Sequence, residues 1–273
     1  MSSGYFAGVK PRVFGHRGAA GLAPENTIPS FALALALGAD VLELDVHASR
    51  DGVIVVIHDP TLERTTNGSG AVREHSWHEL QDLDAGYQFT RDGRDYPYRG
   101  HGVRLPTLEM VLRRFPLACC NIEVKQEDPP IVEEVVRIIT GLDAQQRVLL
   151  AAEHDSIMQH IRRHAGGIAT SFAAGEVADF VARAQAANLR SYRPEGQALQ
   201  IPPYFGEIKL ITAESVAAAH ACGLEMHAWT INERSEMERL LALGVDGIMS
   251  DLPGLARVVV DEWVARGDHE CCG

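Results

Sequence analysis

The stretch "DVLELDVHASRDGVIVVIHD", residues 40–59, contains two apolar runs joined by a short polar segment. Both runs are short and rich in β-branched residues, which is typical of buried strands, and Arg50-Asp51-Gly52 between them reads as a tight turn. Acidic residues lie within the first run, and a histidine ends the second. The stretch therefore predicts a strand hairpin that carries part of a polar site.

Outward from this hairpin, short apolar runs alternate with longer segments of helical spacing. That alternation predicts βα units around a parallel sheet. Nine strand candidates and eight helix candidates exceed a doubly wound sheet, so we expect an α/β fold of the TIM (β/α)8 barrel type with one extra hairpin strand. The strand candidates are RVFGH, DVLELDV, VIVVIHD, ACCNIEVK, RVLLAA, GIATSF, ALQIP, LEMHAWT and GIMSD.

Residues 60–106 interrupt the alternation. They are rich in turn formers, aromatic residues and charges, and "SWHELQDL" is their one short helix candidate. A segment of this length inside a barrel is uncommon unless it forms a lid or a small subdomain. We expect one domain, residues 1–273, with residues 60–106 inserted after the second strand region and lying over the barrel mouth.

Composition limits the partners. A chain of 273 residues that is 46% hydrophobic can bury a full core, and a net charge of −12 argues against nucleic acid. No apolar run approaches the roughly 20 residues of a membrane span, and the first residues lack a signal-peptide pattern, so we expect no stable membrane insertion and a cytoplasmic location. Five cysteines without a regular framework indicate reduced thiols. Oligomeric partners stay unknown.

Polar side chains recur where predicted strands end, which is where TIM barrels carry their chemistry. Residues two apart on a strand share a face, so Glu43 with Asp45, and Glu123 with Lys125, are expected to project into the mouth as pairs. The other strand-end residues are His16 and Arg17 after the first strand, His58 after the hairpin strand, His227 and Trp229 at the seventh strand, and Asp251 after the eighth.

Three carboxylates in a low-dielectric mouth repel one another unless a cation lies between them. Glu43, Asp45 and Glu123 therefore predict a divalent metal site. Oxygen ligands favour Mg²⁺ or Ca²⁺, while the nearby histidines keep Mn²⁺ or Zn²⁺ possible. With the metal, Arg17 and Lys125 present, the pocket is locally cationic and suited to a phosphate group.

The motifs FGHRGAAGLAPENTIPSF, ELDVHASRDGVIVVIHDPTLERTTNGSG, LPTLEMVL, NIEVK, AWTIN and GVDGIMSDLP resemble those of the glycerophosphodiester phosphodiesterases, from His16 to about Pro253. The resemblance implies a TIM barrel with an inserted subdomain. It also implies a divalent metal and hydrolysis of glycerophosphodiesters, as small-molecule substrates, to sn-glycerol 3-phosphate and an alcohol.

By the same resemblance, Glu43, Asp45 and Glu123 are the metal ligands, His16 and His58 the acid and base, and Arg17 and Lys125 the phosphate contacts. Further hypotheses come from the residues themselves. Glu25 and Asn26 would orient His16 or bind glycerol hydroxyls, Trp229 would form an apolar wall for the substrate, and Gly18 would leave room where substrate passes.

Other functions compete with this interpretation. A lysophospholipase D or sphingomyelinase-D-like enzyme would need an apolar lip on residues 60–106. A Schiff-base aldolase would use Lys125, and a third alternative is a non-catalytic phosphate-binding barrel. The sequence leaves open the preferred alcohol group, the metal, which histidine is the base, direct water attack or a cyclic phosphate, and the role of the Cys271-Cys272 tail.

Overall fold

The computed structural model describes residues 4–270; the Cys271-Cys272 tail lies outside them. In this range the strands are β1 (Arg12–Gly15), β2 (Val41–Ala48), β3 (Ile54–Val56), β4 (Cys119–Val124), β5 (Val148–Ala151), β6 (Ala169–Thr170), β7 (Ala198–Ile201), β8 (Tyr204–Phe205), β9 (Ile208–Lys209), β10 (Glu225–Ala228) and β11 (Gly247–Ser250). The α-helices are α1 (Ile28–Ala36), α2 (Trp77–Leu80), α3 (Leu108–Arg114), α4 (Val132–Gly141), α5 (Asp155–His164), α6 (Ala174–Gln185), α7 (Ala213–Ala221), α8 (Arg234–Ala242) and α9 (Pro253–Glu270).

Eight parallel strands form a nearly closed barrel. Their order is β6, β5, β4, β2, β1, β11, β10 and β7, so the first and last barrel strands are neighbours. An isolated parallel bridge between Ser171 and Ala198 draws the two outer strands of this order together. Helices surround the sheet, and the predicted TIM barrel is confirmed.

The opening stretch forms the predicted hairpin. β3 pairs antiparallel with β2, with Val46 opposite Val56. The backbone N–H of Ser49 donates to the Val53 carbonyl at 2.9 Å, which closes the turn. Gly52 has φ +83°, a left-handed conformation that glycine adopts without a steric cost.

Threonines begin several of the helices. Thr27 accepts a hydrogen bond from the Ser30 backbone N–H at the start of α1, and Thr107 does the same for Met110 at the start of α3. The helices place their apolar faces on the barrel, as α4 does with Val135, which is fully buried. No helix within residues 4–270 has the length and apolar character needed to cross a bilayer.

The insertion of residues 60–106 consists of turns, a 3-10 helix at Val72–Glu74, and α2. The Trp77 backbone N–H donates to Asp51 Oδ1 at 2.8 Å, which joins the insertion to the β2–β3 turn. Its buried apolar side chains pack together and against β3; the cluster consists of Val55, Ile57, Leu62, Val72, Leu80, Ala85, Val103 and Leu105. The insertion therefore has a small core of its own that it shares with β3.

A buried polar network lies inside the barrel near the amino-terminal ends of its strands. His227 Nε2 lies 3.0 Å from Glu225 Oε2, and the Arg12 guanidinium pairs with the same carboxylate. His227 is aligned with Gly247, the first residue of β11, and its side chain has no solvent exposure. The prediction that His227 lies at the mouth is wrong, because its strand begins only two residues earlier.

Candidate active site

Three carboxylates meet at the mouth of the barrel. Glu43 and Asp45 share one face of β2, and Asp45 is aligned with Glu123 on the neighbouring β4. One ligand oxygen from each of the three lies within 4.8 Å of the others. Glu43 and Asp45 are almost fully buried.

Burial and mutual repulsion disfavour the charged state of this cluster. Burial, followed by the adjacent charge of Asp45, raises the pKa of Glu43 to about 8. Burial also raises the pKa of Glu123, with Asp45 adding to the effect. Anionic oxygens held this close fit a hard divalent cation, which binds oxygen ligands at about 2.0–2.6 Å. The residues present therefore suit the metal that the resemblance implies.

Two cations of the chain partly balance the carboxylates. Lys125 Nζ donates to Glu123 Oε1 at 2.9 Å and lies 3.7 Å from Asp45 Oδ1, and Arg17 Nε lies 3.3 Å from Asp45 Oδ2. Burial by itself would lower the pKa of Lys125, but Glu123 and Asp45 outweigh it and the pKa is raised. A Schiff-base lysine must become neutral, so this environment argues against the aldolase alternative.

Glu25 and Asn26 form hydrogen bonds with residues of the mouth. Asn26 Nδ2 donates to Asp45 Oδ2 at 2.9 Å, and the Asp45 backbone N–H donates to Asn26 Oδ1 at 3.3 Å. Glu25 accepts hydrogen bonds from Arg17 at 2.9 Å and from Arg64 at 2.7 and 2.8 Å. These contacts hold Asp45 and Arg17 in place, and neither residue is the partner of His16.

His16 is paired with a carboxylate from the last barrel strand. Its Nδ1 lies 2.7 Å from Asp251 Oδ1, and Asn232 Nδ2 donates to the other Asp251 oxygen at 2.6 Å. Burial opposes the charged imidazole, but the bond to Asp251 and the charge of Glu43 outweigh it, so the pKa of His16 is raised.

His58 has a similar arrangement with the residue that follows it. Its Nδ1 lies 2.6 Å from Asp59 Oδ1, and Arg64 Nε donates to Asp59 Oδ2 at 2.5 Å. Burial would raise the pKa of Asp59, but Arg64 and His58 lower it to about 2. In both histidines the Nδ1–carboxylate bond occupies one ring nitrogen and leaves Nε2 available to another group.

The carboxylate partners of the histidines are the part of the site that sequence reasoning missed. Asp251 was recognised only as a strand-end residue, and Asn232 only as part of the AWTIN motif. Arg64, which joins Glu25 to Asp59, was not singled out at all. Two acidic residues could have indicated these partners in the sequence. They are Asp59, next to His58, and Asp251, directly after the eighth barrel strand.

Glycine is needed at position 18 for a structural reason that differs from the predicted one. It has φ +88°, and a Cβ there would lie 2.4 Å from Ser30 Oγ at the start of α1. The glycine therefore permits close packing against this helix rather than passage of substrate.

Aromatic and aliphatic side chains lie at the rim. Trp229 follows β10 and is 40% exposed. The hairpin of β8 and β9, which the sequence did not predict, follows β7 and exposes Tyr204, Phe205 and Ile208. Its position after a barrel strand places these apolar groups at the same end as the carboxylates.

The raised pKa of Glu43 predicts how the metal-free protein responds to pH. Between its ordinary value of 4.5 and about 8, the folded protein keeps a proton that the unfolded chain has released. The free energy of unfolding should therefore decrease as pH rises through this window, by about 1.4 kcal/mol per unit of pKa difference. Unfolding midpoints of chelated protein at pH 5, 6.5 and 8 measure this, and Glu43→Gln should flatten the curve. Equal pH dependence in both proteins would contradict it.

Comparison with known proteins identifies the class and then the family. The sequence profile of the "Glycerophosphoryl diester phosphodiesterase family" matches residues 16–255. A glycerophosphodiester phosphodiesterase of Caldanaerobacter subterraneus subsp. tengcongensis is 33% identical over 252 residues, which is 90% of this chain and 96% of that protein. The fold and the mouth are thus those of a TIM-barrel phosphodiesterase. The chain belongs to the glycerophosphoryl diester phosphodiesterase family, as its motifs predicted.

Solved structures agree with the assignment. The crystal structure of a glycerophosphodiester phosphodiesterase from Agrobacterium tumefaciens has a TM-score of 0.73 at 28% identity, covering 90% of this chain and 98% of that one. An Oleispira antarctica phosphodiesterase in complex with the product sn-glycerol-3-phosphate has a TM-score of 0.72 at 26% identity, covering 92% of this chain and 97% of that one.

Proposed function

We propose that this protein hydrolyses glycerophosphodiesters to sn-glycerol 3-phosphate and an alcohol, with a divalent metal held by Glu43, Asp45 and Glu123. The observation that carries the proposal is the pairing of two histidines with carboxylates beside the buried acidic cluster. His16 interacts electrostatically with Glu43, and His58 with Glu123, so the two imidazoles lie towards different members of the cluster. The names of the relatives support the same substrate class.

When bound, Mg²⁺ or Ca²⁺ supplies positive charge to the non-bridging phosphate oxygens. Arg17 and Lys125 add two fixed cations at the same place, where burial strengthens their effect on the transition state. One histidine Nε2 accepts the proton of the attacking nucleophile, which is either water or the glycerol 2-hydroxyl, and the other donates a proton to the leaving alkoxide. Asp251 and Asp59 hold the two rings in orientation and stabilise each imidazolium form.

A coupled assay of sn-glycerol 3-phosphate release tests the function directly. The substrates are glycerophosphodiesters with choline, ethanolamine, glycerol or inositol as the alcohol, in Mg²⁺ or Ca²⁺. Lysolipids are tested in parallel by release of the alcohol, because their cleavage leaves lysophosphatidate rather than sn-glycerol 3-phosphate. A 2,3-cyclic glycerophosphate among early products would identify attack by the glycerol 2-hydroxyl rather than by water. No sn-glycerol 3-phosphate from any diester, with either metal, would contradict the proposal.

One observation supports lysophospholipase D activity as the second candidate. An apolar lip was expected on residues 60–106 for that activity, and the exposed apolar groups at the mouth are instead Tyr204, Phe205 and Ile208 on the β8–β9 hairpin. An acyl chain would lie against these side chains. Alcohol release from lysolipids faster than from glycerophosphodiesters would favour this candidate.

We also propose that residues 60–106 act as a lid that Arg64 ties to the rim. Arg64 bonds Glu25 and Asp59, two residues at the mouth. Arg64→Ala should therefore reduce kcat/KM about tenfold, with KM raised because substrate capture is weakened and kcat lowered because Asp59, the partner of His58, loses its anchor. Steady-state kinetics against Arg94→Ala, an exposed arginine of the same insertion, measure the effect. Identical KM values in both variants would count against the lid.

We further propose that the protein works in the cytoplasm. The unpaired thiols of Cys119, Cys120 and Cys222 in the described part of the chain support a reducing compartment.

A further inference from the structure

A second group of metal-ligating side chains lies outside the barrel, on two neighbouring helices. His160 and His164 are one turn apart on α5 and therefore share a face. Glu133, in the first turn of α4, lies beside them. One ligand atom from each of the three lies within 4.8 Å of the others. None of the three is part of the proposed catalytic site.

The distances in this cluster fit a shared ion better than direct hydrogen bonds. Glu133 Oε1 lies 3.7 Å from His160 Nε2 and 3.6 Å from His164 Nε2, and both separations are too long for a hydrogen bond. Ligands at about 2.0–2.1 Å from a tetrahedral Zn²⁺ lie about 3.3 Å from one another. Both imidazoles thus face the same carboxylate oxygen at close to the spacing of ligands around one metal.

The tautomer of His164 is also the one that a metal requires. His164 Nδ1 donates to the backbone carbonyl of His160 at 3.0 Å, which assigns the proton to Nδ1 and leaves a lone pair on Nε2. Metal-ligating histidines commonly donate their other ring N–H to a carbonyl in this way, which fixes the ring orientation. The orienting bond comes from α5 itself.

We propose that Glu133, His160 and His164 form a second divalent-metal site, selective for Zn²⁺ and related transition metals. Two imidazoles and one carboxylate prefer Zn²⁺, Ni²⁺ or Cu²⁺, whereas the oxygen ligands at the mouth prefer Mg²⁺ or Ca²⁺. The Glu133 side chain is 73% exposed, so the ion exchanges readily and water completes its coordination. A metal here joins α4 to α5 and stabilises the folded barrel without contact with substrate.

Zinc titration with the full chain tests this site. The parent protein carries Cys271→Ser and Cys272→Ser to remove competing thiols, and saturating Mg²⁺ occupies the mouth. Zn²⁺ stoichiometry and affinity are measured by calorimetry and by equilibrium dialysis, together with the rise in melting temperature that Zn²⁺ produces. The variants are His160→Asn, His164→Asn and Glu133→Gln, and His101→Asn in the insertion is the control.

Each of the three variants should bind one equivalent of Zn²⁺ fewer than the parent, or bind that equivalent at least about tenfold more weakly. The corresponding increment in melting temperature should disappear, while hydrolysis in Mg²⁺ stays unchanged and His101→Asn behaves as the parent. Should a histidine variant fail to fold, the result for Glu133→Gln tests the proposed site. The Glu133 side chain is largely exposed, so this substitution should not disturb the fold. Zinc stoichiometry and affinity equal to the parent's in Glu133→Gln would overturn the proposal, whatever the substrate of the mouth proves to be.

Discussion

His16→Ala and His58→Ala are each expected to lose roughly 10²–10⁴-fold in kcat on a glycerophosphodiester. The loss follows because each imidazole is proposed to move one proton, and Asp251 and Asp59 orient the rings for that transfer. KM should change little, since chemistry rather than binding is impaired. Steady-state kinetics measured over pH should give a bell-shaped profile for the wild type. Each variant should keep only one limb of that profile.

A nitrophenyl phosphodiester assigns the two roles, because its leaving group needs no protonation. The variant that lacks the acid should regain most of its rate on this substrate, and the variant that lacks the base should not. His101→Ala, an exposed histidine of the insertion, is the matched control and should retain wild-type turnover. Near-wild-type kcat in both His16→Ala and His58→Ala would refute two-histidine catalysis.

Metal removal is the second large effect. Chelation should abolish turnover, and Mg²⁺ or Ca²⁺ should restore it, because the buried carboxylates need a cation between them. Glu43→Gln and Asp45→Asn should each raise the metal concentration required for half-maximal activity at least about tenfold, since each removes one charged ligand. Activity as a function of free metal measures both effects.

Glu127→Gln is the control for these variants. It lies two residues beyond Lys125, is exposed, and is not part of the cluster. Its metal requirement should equal that of the wild type. Full turnover in excess chelator, together with elemental analysis showing no retained metal, would exclude a catalytic metal at Glu43, Asp45 and Glu123.

Periodicity predicted the barrel well because each βα unit carries its own local signal. The β2–β3 hairpin is an example, since its apolar runs and its Asp51-Gly52 turn are readable within 20 residues. The β8–β9 hairpin was missed because each strand has two residues and Tyr204, Phe205 and Ile208 are exposed, so no burial pattern marks them.

The carboxylate cluster followed from strand geometry, because the two-residue period of a strand places Glu43 and Asp45 on one face. The carboxylate partners of the histidines could not be predicted from strand geometry. Asp251 is 235 residues from His16 in the chain, and only the closure of the sheet brings them together. The predicted position of His227 at the mouth was wrong for a related reason. A short strand does not show how far along the barrel axis a residue lies until the register with its neighbours is known.

The pairing of His16 with Asp251 also has a consequence for biosynthesis. β1 and β11 are hydrogen-bonded neighbours, and the His16 backbone N–H donates to the Ser250 carbonyl at 3.0 Å. During translation the three carboxylates emerge in the first half of the chain, but the ring of His16 acquires its orienting partner only when the final strand docks. Under the proposed two-histidine mechanism, enzymatic competence therefore arrives with the last barrel strand, because a nascent chain that stops before Gly247 contains the three carboxylates but lacks Asp251, the partner of His16.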